Sequence, residues 1–260
     1  MSTEPAPISR DTLAGAFEQS ADHYERGRPG YPADAVAVLA GELGIGPGSR
    51  VLDLAAGTGK LSRQLIALGA EVVAVEPLPA MRAELHRILP DIELLAGAAE
   101  AIPLPDASVD VVTVAQAFHW FDYPAALAEI ARVLRPGGGL AAMWNEADEA
   151  EPETKRLFTA VRTVGNRPDT IEVDWRAVFD DSARFEPARR ARFRWRDSVV
   201  HADLLAAIAS RSYVSVLEPA PKQAFLADMA AHIAELPEPF ELPYVTEVYW
   251  CRTPARIASS

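Results

Sequence analysis

Two acids and two glycines at fixed spacing carry the first chemical signal in this chain. In "VLDLAAGTGKLS" (51–62), Asp53 stands near the end of an apolar run, and Gly57 and Gly59 lead into an amphipathic segment. Glycines in such a strand-to-helix turn permit positive φ and let backbone N–H groups approach a ligand at the helix N-terminus. A dinucleotide fingerprint requires G-x-G-x-x-G, but from Gly57 the chain reads G-T-G-K-L-S, with Ser62 in the final place. The carboxylate of Asp53 would repel a pyrophosphate and attract an ammonium, which points to a cofactor built on an amino acid. Glu76 ends the next apolar run, "EVVAVEP" (71–77), and a carboxylate there can accept two hydrogen bonds from a diol.

A second group of residues follows the fourth apolar run, in "QAFHWF" (116–121). His119 has the side chain for a general base at neutral pH. The alternative is that His119 and Trp120 wall a pocket, with aromatic faces towards a positive ligand. The wall is preferred, because an acceptor that is already an ionised carboxylate needs no base. The histidines at 23, 86, 119, 201 and 232 have no ligand spacing, so no metal is expected. In "HYERGRPGYP" (23–32), Arg28 offers a planar bidentate donor for a carboxylate; the competing reading is a surface turn before the helix "ADAVAVLAGEL".

The elements that must position these residues are legible from periodicity. "RVLDL" (50–54), "EVVAVEP" (71–77), "IELLAG" (92–97), "VDVVTVAQ" (109–116) and "GLAAMWN" (139–145) read as buried strands. The amphipathic stretches "GKLSRQLIALG", "PAMRAELHRIL" and "PAALAEIARVL", the last stopped by "RPGGG", alternate with them. That alternation predicts a doubly wound α/β fold, a parallel sheet with helices on both faces. After Asn145 the rhythm changes. "RRARFRWRDSVV" and "FELPYVTEVYWCRT" read as late strands, separated by about 40 residues of helix that suggest a lid over one edge of the sheet.

Composition narrows the partners. The 260 residues are 49% apolar with a formal charge of -12, which argues against a broad nucleic-acid or anionic-lipid surface. The arginines of "RRARFRWR" (189–196) accordingly read as the solvated face of an edge strand. A single cysteine, Cys251, the absence of a basic-then-apolar leader and the absence of an apolar run long enough for a membrane span make a cytoplasmic protein the expectation.

These motifs resemble those of class I S-adenosylmethionine-dependent methyltransferases, in the type-11 group, over residues 49–145. "DLAAGTG" resembles the D/E-x-G-x-G-x-G loop, and "VVAVEP" the second motif, whose acid holds the ribose. "AGAAEAIPLPDASVDVVTVAQAFHWF" resembles the third and fourth motifs, and "RVLRPGGG" is typical of the group. "FEQSADHYERGRPGYP", "AFHWFD" and "LPYVTEVYWCRT" look like a subgroup related to trans-aconitate methyltransferases.

The resemblance implies one Rossmann-like domain over 1–260, with a seven-stranded, mostly parallel sheet whose last strand is antiparallel. An N-terminal cap (1–48), a cofactor core (49–150) and late strands (151–260) with a helical lid at about 201–237 would make it up. It implies S-adenosylmethionine as cofactor and S-adenosylhomocysteine as product. Asp53, Ala55, Gly57, Gly59, Glu76, Pro77, Ala98, Ala99, Glu100, Gln116, Tyr24 and Arg28 would bind it. Ala98, Ala99 and Glu100 would line the adenine, while Tyr31, His119, Trp120, Arg211 and Tyr213 would approach a small-molecule substrate. Arg211 and Tyr213 are two apart, so a helix would not place both squarely on one face. Ala55 stands where the family has its first glycine, a change that is tolerated where φ is negative. The acceptor atom is expected to be an oxygen of a carboxylate or hydroxyl. Carbon or nitrogen methylation of a ring-containing metabolite and a non-catalytic cofactor-binding subunit are the alternatives; a nicotinamide oxidoreductase is disfavoured by Ser62 and Asp53.

Overall fold

Alternation within the short apolar runs decides which face each side chain serves. In β1 (Arg50–Leu54), Leu52 and Leu54 join one hydrophobic layer while Val51 joins the other. In β4 (Val109–Ala115), Val112 and Val114 take the first side and Val111 the second. Strands buried on both faces are expected to be continuous β-branched runs, as these are.

The computed structural model describes residues 25–164 and 173–255. Among them, β1, β2 (Glu71–Val75), β3 (Glu93–Leu95), β4, β5 (Leu134–Ala147), β6 (Arg189–Val199) and β7 (Phe240–Arg252) form one sheet in the order β3-β2-β1-β4-β5-β7-β6. Strands β1 to β5 are parallel, and β7 runs antiparallel to both β5 and β6. The last strand is thus reversed, as expected. β5 is longer than its apolar segment: it begins at Leu134 and includes the glycine run, with a register irregularity against β4 between Val109 and Val111.

Helices α1 (Ala33–Leu43) and α2 (Lys60–Ala67) bury Val36, Leu39, Leu61 and Leu65 in one layer. Helix α3 (Pro79–Ile88) connects β2 to β3, and α4 (Tyr123–Val133) connects β4 to β5. α4 buries Leu127 and Ile130 in the opposite layer, and its first turn is capped by Asp122, whose carboxylate accepts from Ala125 N. Helices α5 (Pro152–Val164), α6 (Trp175–Asp180), α7 (His201–Ala209), α8 (Ser212–Ser215) and α9 (Pro219–Ile233) complete the described helical segments. α5, α7 and α9 share a third apolar cluster with Trp195, Leu242 and Tyr244 of the late strands. The lid segment therefore has its own core, built on the β6–β7 side.

The strand order places the site. The chain leaves β1 outwards to β2 and β3, then returns to β4 on the other side, which opens a crevice at the carboxyl ends of β1 and β4. The segment after β4 is held by aromatic packing: Phe118, fully buried, lies 5.0 Å from Phe179 and 5.2 Å from Phe121 between ring centroids. Trp175 stacks on Trp144 at 4.4 Å and meets Phe118 edge-on. Replacing Phe118 with Ala is expected to cost about 3–5 kcal/mol, the usual range for emptying a buried aromatic position. Urea denaturation measures it, and a loss below about 1 kcal/mol would show that the cluster does not anchor the segment.

Candidate functional site

A cleft opens at the β1–β4 crevice. Its floor comes from the sheet: Asp53 and the loop after β1 (Ala55, Ala56, Gly57, Thr58), Ala115 and Gln116 after β4, and Asn145 of β5. Its walls come from Arg28, Pro29 and Tyr31 before α1, Lys60 and Leu61 of α2, Arg211 after α7 and Tyr244 of β7.

Asp53 is almost wholly enclosed, at 1% exposure. Because it alternates with Leu52 and Leu54, it faces α2, where the Ser62 hydroxyl donates to its Oδ2 at 2.6 Å. In the β1–β4 register it pairs with Thr113, whose Oγ1 donates to Oδ1 at 3.3 Å. Burial pushes its pKa up to about 6; the hydroxyls of Ser62 and Thr113 oppose this, and the charge of Glu76 adds to it. The serine that breaks the dinucleotide fingerprint is thus the partner of the acid that ends β1.

The loop between Asp53 and α2 is left-handed at Ala55 (φ 57), Gly57 (φ 58) and Gly59 (φ 83). Ala55 is therefore not at the negative φ where a methyl in place of the family's glycine is tolerated. The turn demands the region that favours glycine, and alanine adopts it at a cost of about 1–2 kcal/mol. Gln116 is a second non-glycine residue with positive φ (58) lining the same cleft. Strained backbone of this kind gathers at functional sites. An added Cβ on Gly57 would meet nothing within 4 Å, so the loop faces open space where a ligand can approach its backbone.

Glu76 braces this loop from outside the cleft lining. Its Oε2 accepts from Gly57 N and its Oε1 from Leu78 N, both at 2.9 Å. Burial raises its pKa, against those two hydrogen bonds. Each carboxylate oxygen keeps a second lone pair. Pro77 is exposed beside it, and its carbonyl accepts from Arg82. Ala98, Ala99 and Glu100 also lie outside the cleft lining: Ala98 bridges to Ala101, Ala99 is buried, and Glu100 accepts from Asp122 N at 2.8 Å.

His119 and Trp120 sit in a short 3-10 turn, Phe118–Trp120, beyond that lining. Trp144 Nε1 donates to His119 Nδ1 at 3.4 Å, and the His119 ring contacts Trp120 at 4.9 Å. An indole N–H is only a donor, so this contact occupies the Nδ1 lone pair. Gln116 directs its amide to the Asn145 carbonyl at 3.0 Å.

The stretch before α1 crosses the cleft and is tied at several points. The Glu25 carboxylate accepts from Thr58 Oγ1 and from Arg63 at 2.8 Å, and its carbonyl accepts from Lys60 Nζ at 2.7 Å. A Cβ on Gly27 would lie 2.3 Å from Ala207 N, so only glycine permits this approach to α7. Arg28 Nε donates to Ser210 Oγ at 3.3 Å, and Asn145 Nδ2 donates to the Gly30 carbonyl at 2.8 Å. Tyr31 exchanges backbone hydrogen bonds with the Gln64 amide. A surface turn would show none of these ties.

The cleft therefore gathers Arg28, Tyr31, Asp53, Ala55, Gly57, Gln116 and Arg211, while Gly59 caps α2 behind it. Tyr24 and the side chain of Tyr213 lie outside the described residues. Sequence reading missed Glu25, Thr58, Lys60, Ser62, Asn145 and Tyr244. Of these, Thr58, Lys60 and Ser62 were visible as polar positions inside the glycine loop and the first turns of α2. The edge arginines are matched by acids: Arg194 meets Asp148 at 3.1 Å, Arg190 and Arg192 meet Glu247, and Arg196 meets Glu151.

A doubly wound sheet with a glycine loop and a buried acid at its switch point is the arrangement of a nucleoside-cofactor enzyme. A family model for a methyltransferase domain matches residues 52–142. The chain is 43% identical over 208 residues to an uncharacterized methyltransferase of Mycobacterium tuberculosis, covering 79% of this chain and 80% of that one. It is 35% identical over 176 residues to a demethylmenaquinone methyltransferase of a Mycobacterium species, covering 60% and 73%. A type II methyltransferase structure from Anaeromyxobacter dehalogenans superposes with a TM-score of 0.58 at 26% identity, covering 88% of this chain and 97% of that one. The chain belongs to the class I S-adenosylmethionine-dependent methyltransferase family.

Two stability measurements test the local physics. Ala55→Gly removes the left-handed strain but adds glycine's chain entropy, so a net gain of up to about 1 kcal/mol is expected; a lower Tm would show that the strain is not there. For Asp53, burial raises the folded pKa to about 6, above the ordinary 3.8 of an aspartate. The native state then binds more protons between those values, so stability falls as pH rises from about 4 to 6, by on the order of 3 kcal/mol. Asp53→Asn should flatten that fall and be the more stable protein at pH 8, with the two curves converging below pH 4.

Proposed function

We propose that this protein transfers the methyl group of S-adenosylmethionine to an oxygen of a small anionic molecule, a carboxylate being the favoured acceptor. The observation that carries the acceptor class is the cationic wall of the cleft, Arg28, Lys60 and Arg211, combined with His119 lying outside its lining with Nδ1 engaged by Trp144. A carboxylate is already ionised, so its transfer needs positioning and water exclusion rather than proton removal.

The residues suit the cofactor. Asp53 gives a buried carboxylate for the methionine ammonium, and the open backbone at Gly57, with Gly59 behind it, admits close approach. When bound, the cofactor supplies an electrophilic methyl on a sulfonium. Glu76 and Pro77 would hold the ribose end, and Ala98, Ala99 and Glu100 the adenine, with Gln116 beside the methionine. Tyr24 and Arg28 would close over the cofactor from the N-terminal side, with the Arg28 guanidinium at the edge where a carboxylate of the acceptor meets it. Tyr31, Arg211 and Tyr213 would border the acceptor, with His119 and Trp120 as a wall behind that lining. Among the described residues no helix is long and apolar enough to cross a membrane, and a cytoplasmic location is part of this proposal.

The named relatives differ in acceptor. One, 36% identical over 140 residues, is a malonyl-[acyl-carrier protein] O-methyltransferase of Serratia marcescens, covering 50% of this chain and 51% of that one. The demethylmenaquinone relative favours the second reading, methylation of a ring-containing metabolite. Incubation of a metabolite pool with methyl-labelled cofactor separates the two. A carboxyl ester releases labelled methanol in mild alkali; label that survives would overturn the carboxylate acceptor, and a product identified by mass spectrometry as C- or N-methylated would overturn the oxygen assignment. In calorimetry, S-adenosylmethionine is expected to bind and NADH not, with Glu76→Ala weakening binding by roughly tenfold or more, as loss of a hydrogen-bonded charged group does. Unchanged affinity would remove Glu76 from the cofactor site.

A further inference from the structure

Tyr244 lies on β7, opposite Ala147 of β5 and Trp195 of β6 in the sheet register. It lines the cleft at only 6% exposure, yet its hydroxyl makes no hydrogen bond to any described residue. The buried part is the ring: the hydroxyl is not among the enclosed polar atoms that lack a partner, so it keeps its access from the cleft side and can donate to a molecule that enters there. Its ring cannot swing away cheaply: it stacks on Trp195 at 5.1 Å and 22°, and the Trp195 indole is pinned to Thr246 Oγ1 at 2.8 Å. Thr246 in turn donates to Asn145 at 2.6 Å, on the cleft floor. The hydroxyl is therefore held in place by the sheet itself, facing a ligand-sized opening.

The surroundings state what it would meet. Arg28 and Arg211 line the same cleft and act on Tyr244 electrostatically. Both are fixed from the cap side, Arg28 through Ser210 Oγ and Arg211 over the Phe158 ring at 4.6 Å. Burial pushes the phenol up to about 12, with Asp197 and Glu146 adding to the rise and the two arginines opposing it. It stays protonated at neutral pH, a donor and not a base.

We propose that Tyr244 is the positioning residue that separates anionic from neutral acceptors: its hydroxyl donates to a carboxylate oxygen of the acceptor, whose charge Arg28 and Arg211 balance. This rests on reading the cleft as the acceptor site of a methyltransferase. A hydrogen bond to an ionised oxygen is worth more than one to a neutral carbonyl, so the residue discriminates by charge.

The test is calorimetric titration of the protein loaded with S-adenosylhomocysteine, using acetate, benzoate, succinate and citrate, and the methyl esters of the same acids. At least one acid is expected to bind the wild type. Tyr244→Phe, which keeps the stacked ring, should weaken that acid roughly ten- to hundredfold. Affinity for the esters and for S-adenosylhomocysteine should stay within about twofold, in keeping with the loss of a single hydrogen bond to an ionised group. A role in packing alone would move acid and ester together, which would overturn the proposal. Equal acid affinity in both proteins, or no acid bound by the wild type, would overturn it as well. Failure of S-adenosylhomocysteine to bind the wild type would overturn the methyltransferase reading instead.

Discussion

The buried carboxylate of Asp53 is the constraint from which the site is built. An ion in that position is costly, and its raised pKa records the cost. Two hydroxyls lower it without removing the charge, and each comes from a different element: Ser62 from α2 and Thr113 from β4. Their convergence requires the β1–β4 pairing and the docking of α2 on that face, so sheet order and acid are not independent features. A carboxylate kept dry by the fold interacts strongly with a cation that arrives. The cost of the buried acid and the affinity proposed for an ammonium are thus two aspects of one placement.

The strained backbone on either side follows the same logic. Ala55 and Gln116 turn left-handed just after β1 and β4, where each strand must deliver its chain sharply away from the crevice. Hydrogen bonds hold both turns: Glu76 accepts from Gly57 N, and the Gln116 amide reaches the Asn145 carbonyl. Asn145 also holds Gly30 and accepts from Thr246. One β5 side chain therefore links the floor, the strap before α1 and the late strands. Without these ties, the loop and the strap would regain conformational freedom worth about 1–2 kcal/mol per residue, and the cleft would lose its shape.

What was legible in the sequence was local. Strands β1, β2 and β4 announce themselves as β-branched runs, and Asp53, Gly57 and Glu76 sit at strand ends where alternation and spacing point to them. Helix α1 matches its segment residue for residue. What could not be read depends on chain crossings. Glu25 has no motif, and its importance lies in meeting Thr58 and Arg63, 33 and 38 residues away. Tyr244 is one of several aromatic residues in a strand, and its place in the cleft lining distinguishes it from Tyr249, whose hydroxyl donates to Glu247 and whose ring packs on Phe179 and Trp144. The sign of φ at Ala55 could not be read either, because residue type reports what a turn prefers, while the turn itself is set by where β1 ends and α2 begins.

The charges divide between two structural layers, and that division has a functional sense. The acid proposed for the cationic cofactor is embedded in the sheet, between Thr113, set by strand register, and Ser62 of the docked helix α2. The cations that suit a variable acceptor come from the strap and from the turn after α7, mounted on the separate apolar cluster of α5, α7 and α9. That cluster and the layer on Asp53's side of the sheet are made of different residues. Tyr244 stands at the join, on a sheet strand but within the cap's cluster. Under the proposed assignment its position is set by the sheet that holds Asp53 and its surroundings by the cluster that carries Arg211, so it ties the geometry of the two halves together.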